Sequence, residues 1–239
     1  MTAAAATGAK GTASVHRLNT LLSYTPRPLT RGQRSKREVF VYQSPRNHRV
    51  VTIADAACFA YALLLEFDPS VQAYVERPRT LQLTGNSRID VSFWSISKDG
   101  QQCFHLLVPH DRKSHGIRGT VTLPADEELE EIALRNGVRV LYVSEAEVMS
   151  SLQDVATAYE LLPLVWDSER VTARAVIAEQ IGHLLGQVSS LSLSAIVVAS
   201  TQPHRQILAT AAWMIHQGMI RLVNHIPGAA DAVLELAHE

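Results

Sequence analysis

Apolar side chains recur at every second position in one part of this chain and at helical spacing in another. In "VQAYVERPRTLQL" and "RIDVSFWSI" the alternation is that of strands with one buried face, and Gly85-Asn86 supplies the turn between them. "QQCFHLLV" is a more continuous apolar run, as expected of a central strand buried on both faces. "ADAACFAYALLLEFD" crowds its apolar positions on one side of a helix, with Asp55 placed to cap it and Pro69 close behind. "PADEELEEIALRNG" predicts another helix: its first-turn acids complement the helix dipole, and Gly137 ends it. "VRVLYV" then reads as a further buried strand. This strand–helix–strand order predicts a right-handed crossover in an α/β sheet.

Beyond "SEAEVMSSLQDVATAYELLPLVW" only helices follow: "RVTARAVIAEQIGHLLG", "SLSAIVVAS" and "PHRQILATAAWMIHQGM", the last stopped by Gly218. "IRLVNHI" closes the series as a short strand. Three helices and a strand or hairpin are the element order of a small winged-helix domain, which puts a boundary near Asp167-Ser168. The opening "MTAAAATGAKGTAS" lacks hydrophobic periodicity, and residues 1–25 are expected to form a disordered arm.

The 239 residues are 46% apolar and 19% charged, enough to bury a core. A formal net charge of −1 exerts no overall pull on nucleic acid, so any such pull must be local. Residues 26–49 provide a local excess: Arg27, Arg31, Arg34, Lys36, Arg37, Arg46 and Arg49 face only Glu38. The segment reads either as a solvated loop or as a DNA-binding stripe, because phosphate contacts require only cations within reach. The basic, glycine-bearing "PHDRKSHGIRG", read as a mobile loop, adds Arg112 and Lys113. Two cysteines, Cys58 and Cys103, are too few for a disulfide framework, and no signal-peptide stretch or long apolar run is present. A cytoplasmic protein without membrane contact is the expectation.

The series "LLLEFDPSVQAYVERPRTLQL", "RIDVSFW", a hydrophobic strand and "EEIALRNGVRVLYVSEAEV" resembles the TnsA-type endonuclease subunit of heteromeric transposases. "MIHQGMIRLV" is similar to the end of that family's winged helix, and the likeness spans about residues 50–227. The resemblance implies an α/β fold: a restriction-endonuclease-like mixed sheet flanked by helices over 26–167, plus a small winged-helix domain over 168–239. It implies transposon-end DNA, a TnsB-like recombinase and a TnsC-like ATPase as partners. In the family a helix glutamate, a strand aspartate and a carboxylate or glutamine on the next strand hold a divalent metal, with a lysine beside them. Mg²⁺ held in this way activates water and neutralises the departing oxygen.

Asp90 matches the family's aspartate, with Ile89 in place of the preceding proline. The helix glutamate falls near Cys58, where no acid stands; Asp55 is nearly a turn away, and Glu66 belongs to "LEFDP" itself. The family's "EVK" falls on Leu106, Leu107 and Val108, and the glutamine before its proline is Arg77. Asp90 is thus the residual catalytic and metal candidate, and one carboxylate does not hold Mg²⁺ against its water shell. The expectation is a catalytically degenerate nuclease that serves as a DNA- and protein-binding architectural component. No cofactor is expected, Mg²⁺ being required only by an intact site. An active TnsA-like paralogue is an optional partner.

Two alternatives remain. One is an active endonuclease cutting 5′ transposon ends with a rearranged site, recruiting Glu76, Asp111 or Lys113. The other is a winged-helix DNA-binding regulator. His105, His110, His115 and Asp111 fit no regular zinc spacing and read as surface polar groups, with His105 on the strand face opposite Leu106. Cys58 reads as a small core residue, and Trp213 and Met214 as core continuing the stripe of Ile207 and Leu208. The last helix carries charge only at its start, on His204 and Arg205, and so suits packing against protein better than reading bases.

Overall fold

The computed structural model describes residues 23–83, 87–116, 119–228 and 231–237. Most of the expected arm and the Gly85-Asn86 turn therefore lie outside the described residues. The chain runs through helix α1 (Arg31–Lys36), strands β1 (Val39–Ser44) and β2 (Arg49–Ala54), and helix α2 (Ala56–Phe67). Seven strands follow: β3 (Val71–Glu76), β4 (Thr80–Gln82), β5 (Arg88–Asp90), β6 (Phe93–Ser97), β7 (Gln102–Val108), β8 (Lys113–Gly116) and β9 (Gly119–Thr122). Helix α3 (Asp126–Arg135) leads to β10 (Val140–Ser144), then to α4 (Glu145–Ser150), α5 (Leu152–Ser168) and α6 (Arg174–Gln187). The remainder is β11 (Leu191–Ser192), α7 (Leu193–Ala199), α8 (His204–Gln217), β12 (Ile220–Val223) and β13 (Val233–Leu236).

These elements make a mixed α/β fold in two compact units. One unit runs to Asp55 and resumes over Gln72–Ser144; the other joins Ala56–Val71 to everything from Glu145 onward. The division differs from a single boundary near Asp167, because α2 and α8 both pack on α5. Strand and helix periods say what each element is; they do not say which helix another one covers.

In the first unit, β7 lies between β6, antiparallel with Phe93 opposite His105, and β10, parallel with Tyr142 opposite Leu106. The sheet order is β10-β7-β6-β3, so "QQCFHLLV" does occupy the interior. Leu106 and Val108 join Leu81, Ile89 and Val91 in a core closed by Leu129 and Ile132 of α3. Ala73, Val75, Trp94 and Ile96 form a second cluster, on which Tyr24 is seated at 5.4 Å from the Trp94 ring. Tyr24 belongs to the segment expected to be a free arm. The strand β10 is an edge, and Leu141 is 51% exposed, so it is not the fully buried strand that its composition suggests.

Two segments read for their charge turn out to be hairpins. Residues 39–54 pair antiparallel from Val39 opposite Ala54 to Ser44 opposite Arg49. The expected mobile loop, 109–119, contains β8 and the first residue of β9, paired from Lys113 opposite Thr122. Runs of β-formers in β1, β2 and β9 carry the strand signal, while β8, Lys-Ser-His-Gly, has none of its own.

In the second unit, Ile177, Ile181 and Leu185 of α6 pack with Ile196, Ile207, Ala211 and Met214 above Ile220 and Leu234. An antiparallel sheet of order β11-β13-β12 closes this core; β12 and β13 form the hairpin that the sequence leaves open beside a single strand, and β11 was not foreseen. Met214 is buried, and Trp213, partly buried beside it, carries the Arg174 guanidinium 4.7 Å from its ring centre. Glu66 and His216, both enclosed, meet at 2.9 Å between α2 and α8. Among the described residues no helix is long and apolar enough to cross a membrane.

Candidate nucleic-acid interface

Asp90 ends β5 opposite Thr80, and the segment just before the first hairpin comes to meet it. The Arg27 guanidinium forms an ion pair with one carboxylate oxygen, and Gln33 Nε2 donates to the other at 3.4 Å. Asp90 is thus met by a cation and an amide, neither of them a metal ligand of the expected set. Local chemistry accounts for Gln33. Thr30 and Gln33 form a capping box, in which Gln33 N donates to Thr30 Oγ1 at 3.2 Å and Gln33 Oε1 accepts from Thr30 N at 2.8 Å. With Oε1 committed to the cap, Nε2 is the end turned to Asp90.

Arg77 holds Arg27 in place. It stands where the resemblance would put glutamine, is buried, and has a φ of 46°. Its Nε donates to the Arg27 carbonyl at 2.9 Å and its Nη1 to the Thr52 carbonyl at 2.7 Å, while Arg27 N donates back to the Arg77 carbonyl. The 26–29 segment is thus fastened to β2. Glu76, a candidate for a rearranged site, is bound by Arg49 through Nη1–Oε1 at 3.0 Å and Nη2–Oε2 at 2.5 Å.

The basic stripe therefore divides by role. Arg27, Arg37 and Arg49 pair with Asp90, Asp55 and Glu76. Arg31, Arg34 and Lys36 are exposed on α1 and have no carboxylate partner among the described residues. Arg46 is half-buried in the β1–β2 turn. Arg112 folds inward, donating to Asp126 at 3.0 Å and to the carbonyls of Leu123 and Pro124. Lys113 is exposed, and its amide is held by Asp111 at 2.9 Å.

Leu106, Leu107 and Val108 are all buried. Among the described residues no three His, Cys, Asp or Glu side chains converge as a metal set would. The groups around Asp90 do not fit a divalent ion: the carboxylate is already neutralised by a guanidinium, and the amide faces it with its NH₂. His105 is buried with Nε2 2.8 Å from Ser95 Oγ, and the His115 side chain lies outside what is described.

Burial lowers the His105 pKa to about 4. The unfolded chain, with an ordinary histidine near 6.5, then binds more protons than the folded one between these values, so stability falls as pH drops through this window. From pH 7 to pH 5 the wild type should lose about 2 kcal/mol more than His105→Gln in urea unfolding. Parallel pH profiles for the two proteins would refute it.

No family model matches this sequence, and comparison with curated proteins finds no significant match. Sequence reading missed the pairing of Arg27 and Gln33 with Asp90. The visible signal was Thr30-x-x-Gln33, a capping pattern that announces a short helix inside the basic segment.

Proposed function

We propose that this chain is a TnsA-like subunit of a DNA transposition complex, a catalytically degenerate nuclease that acts as a DNA- and protein-binding architectural component. The observation that carries the reading is the state of Asp90, whose carboxylate is engaged by Arg27 and Gln33 instead of by further carboxylates. The element order supports the restriction-endonuclease-like part: a strand between one antiparallel and one parallel neighbour, with α3 on the core beside it. Three helices on a three-stranded antiparallel sheet support the winged-helix part. Exposed Arg31, Arg34, Lys36 and Lys113 supply cations for DNA backbone. The apolar α8, buried along much of its length, favours protein packing over base reading, consistent with a TnsB-like recombinase and a TnsC-like ATPase as partners.

The test is a nicking assay on transposon-end DNA with Mg²⁺ or Mn²⁺. Wild type and Asp90→Ala should be equally inactive while both retain DNA binding. Cleavage by the wild type that Asp90→Ala abolishes would overturn the reading in favour of an active endonuclease, in which Arg27 must leave Asp90 to admit metal.

A further inference from the structure

We propose that the cleft walled by residues 26–29, α1 and the β1–β2 hairpin is a seat for one nucleotide of a DNA strand. Arg34 and Arg27 hold the phosphate, and Val39 and Val50 support the sugar and base. The inference deepens the reading above and rests on it, since it assumes that the chain handles DNA. The cleft measures about 300 Å³, and its wall includes Arg27, Arg34, Val39, Val50, Thr52 and Arg77.

Charge comes first. Glu76 also lines the cleft, but Arg49 behind it neutralises its carboxylate through two contacts. Asp90 is neutralised by Arg27, which uses one terminal nitrogen for that contact and keeps about a third of its side chain exposed. Arg34 and Arg77 then leave the cleft with a surplus of positive charge. Arg34 is exposed and has no carboxylate partner among the described residues, so it can turn to an anion without breaking an ion pair. A guanidinium fork matches phosphate geometry.

Shape and polarity narrow the ligand. The hairpin register places Val39, Thr52 and Val50 on one face, and Val39 and Val50 are 39% and 56% exposed. An inorganic anion would leave these valines in water. Val39 and Val50 stand four residues apart along that face, about 13 Å, so a nucleotide reaches both only with its sugar and base together while its phosphate meets the arginines. Because Arg27 already supplies the positive charge at Asp90, the seat works without a divalent ion.

Fluorescence anisotropy with the full chain and a labelled duplex of about twenty base pairs, in EDTA, tests this. The wild type should bind, with affinity unchanged by Mg²⁺. Arg34→Ala and Val50→Glu, both at exposed positions, should each weaken binding roughly tenfold, against less than about twofold for Lys98→Ala, an exposed lysine beyond β6 that does not line the cleft. Arg34→Ala should also flatten the salt dependence by about one phosphate contact. Thymidine monophosphate should bind more tightly than inorganic phosphate, and Val50→Glu should remove the difference. If the wild type binds DNA and both variants bind equally well, the cleft is not the seat, although the DNA-handling reading survives. If the two small probes bind alike, the valines play no part and the nucleotide assignment fails. If the wild type binds no DNA even at low salt, the underlying reading falls and takes this one with it.

Discussion

Arg49→Ala should lower the unfolding free energy by about 3–5 kcal/mol, because it leaves a buried carboxylate without its counter-ion. Glu76 is only 3% exposed, and among the described residues its hydrogen bond beyond Arg49 is from the Thr52 amide at 3.4 Å. Arg49 also donates to the carbonyls of Tyr74 and Val50, each at 3.2 Å, so the substitution unties β2 from β3 as well. The size of the effect reflects an unpaired charge and not the net worth of the ion pair, and the two are separable. Arg49→Leu combined with Glu76→Leu removes both charges and should be clearly more stable than Arg49→Ala alone. Urea unfolding of wild type, single and double variants measures this. A loss below about 1 kcal/mol in the single variant, or a double variant less stable than the single, would show that Glu76 finds other support.

Gly218→Ala should cost about 2–5 kcal/mol, the sum of a backbone and a steric penalty. Gly218 ends α8 with φ 75° and ψ 24°, the left-handed conformation that lets its amide reach the Ile215 carbonyl and the next amide reach that of Met214. A Cβ there would lie 2.4 Å from Pro69 Cβ and 3.7 Å from Pro69 Cα. A ring carbon fixed to its own backbone cannot rotate aside as a long side chain would. The same turn of α8 carries His216 to Glu66, so displacement here strains an enclosed polar contact too. Pro69→Gly in the Gly218→Ala background should recover the steric part and leave about 1 kcal/mol of backbone cost. Full stability in Gly218→Ala would mean that the turn is not held against Pro69.

Most elements were legible because their signals are local. The acid-led helix ending in Gly137 and the Gly218 stop reflect preferences acting within a few residues, and each matches an observed element; the two period-two runs are strands as read, but each breaks in two, with β3 and β6 in one sheet and β4 and β5 in another. The β1–β2 hairpin was legible in principle, but its basic residues drew the reading towards a loop; β8, Lys-Ser-His-Gly, carries no strand signal of its own. The β13 strand "VLEL" is four residues long and pairs with strands that begin near residues 191 and 220, so its signal depends on partners far along the chain.

The candidate site divides in the same way. Residue types alone show that residues 26–49 are rich in cations; that Asp90 lacks companion carboxylates and that Leu106 to Val108 contribute no ligand are what the resemblance implies. Which cations hold the fold and which face outward depends on where Asp90, Asp55 and Glu76 come to lie; residues 63 positions apart, such as Arg27 and Asp90, meet only when β5 and the 26–36 segment are brought together. Composition and period are properties of neighbouring residues and can be read directly. Charge pairing, burial of a histidine and the walls of a cleft depend on distances across the folded chain, and the packing of strands and helices sets those.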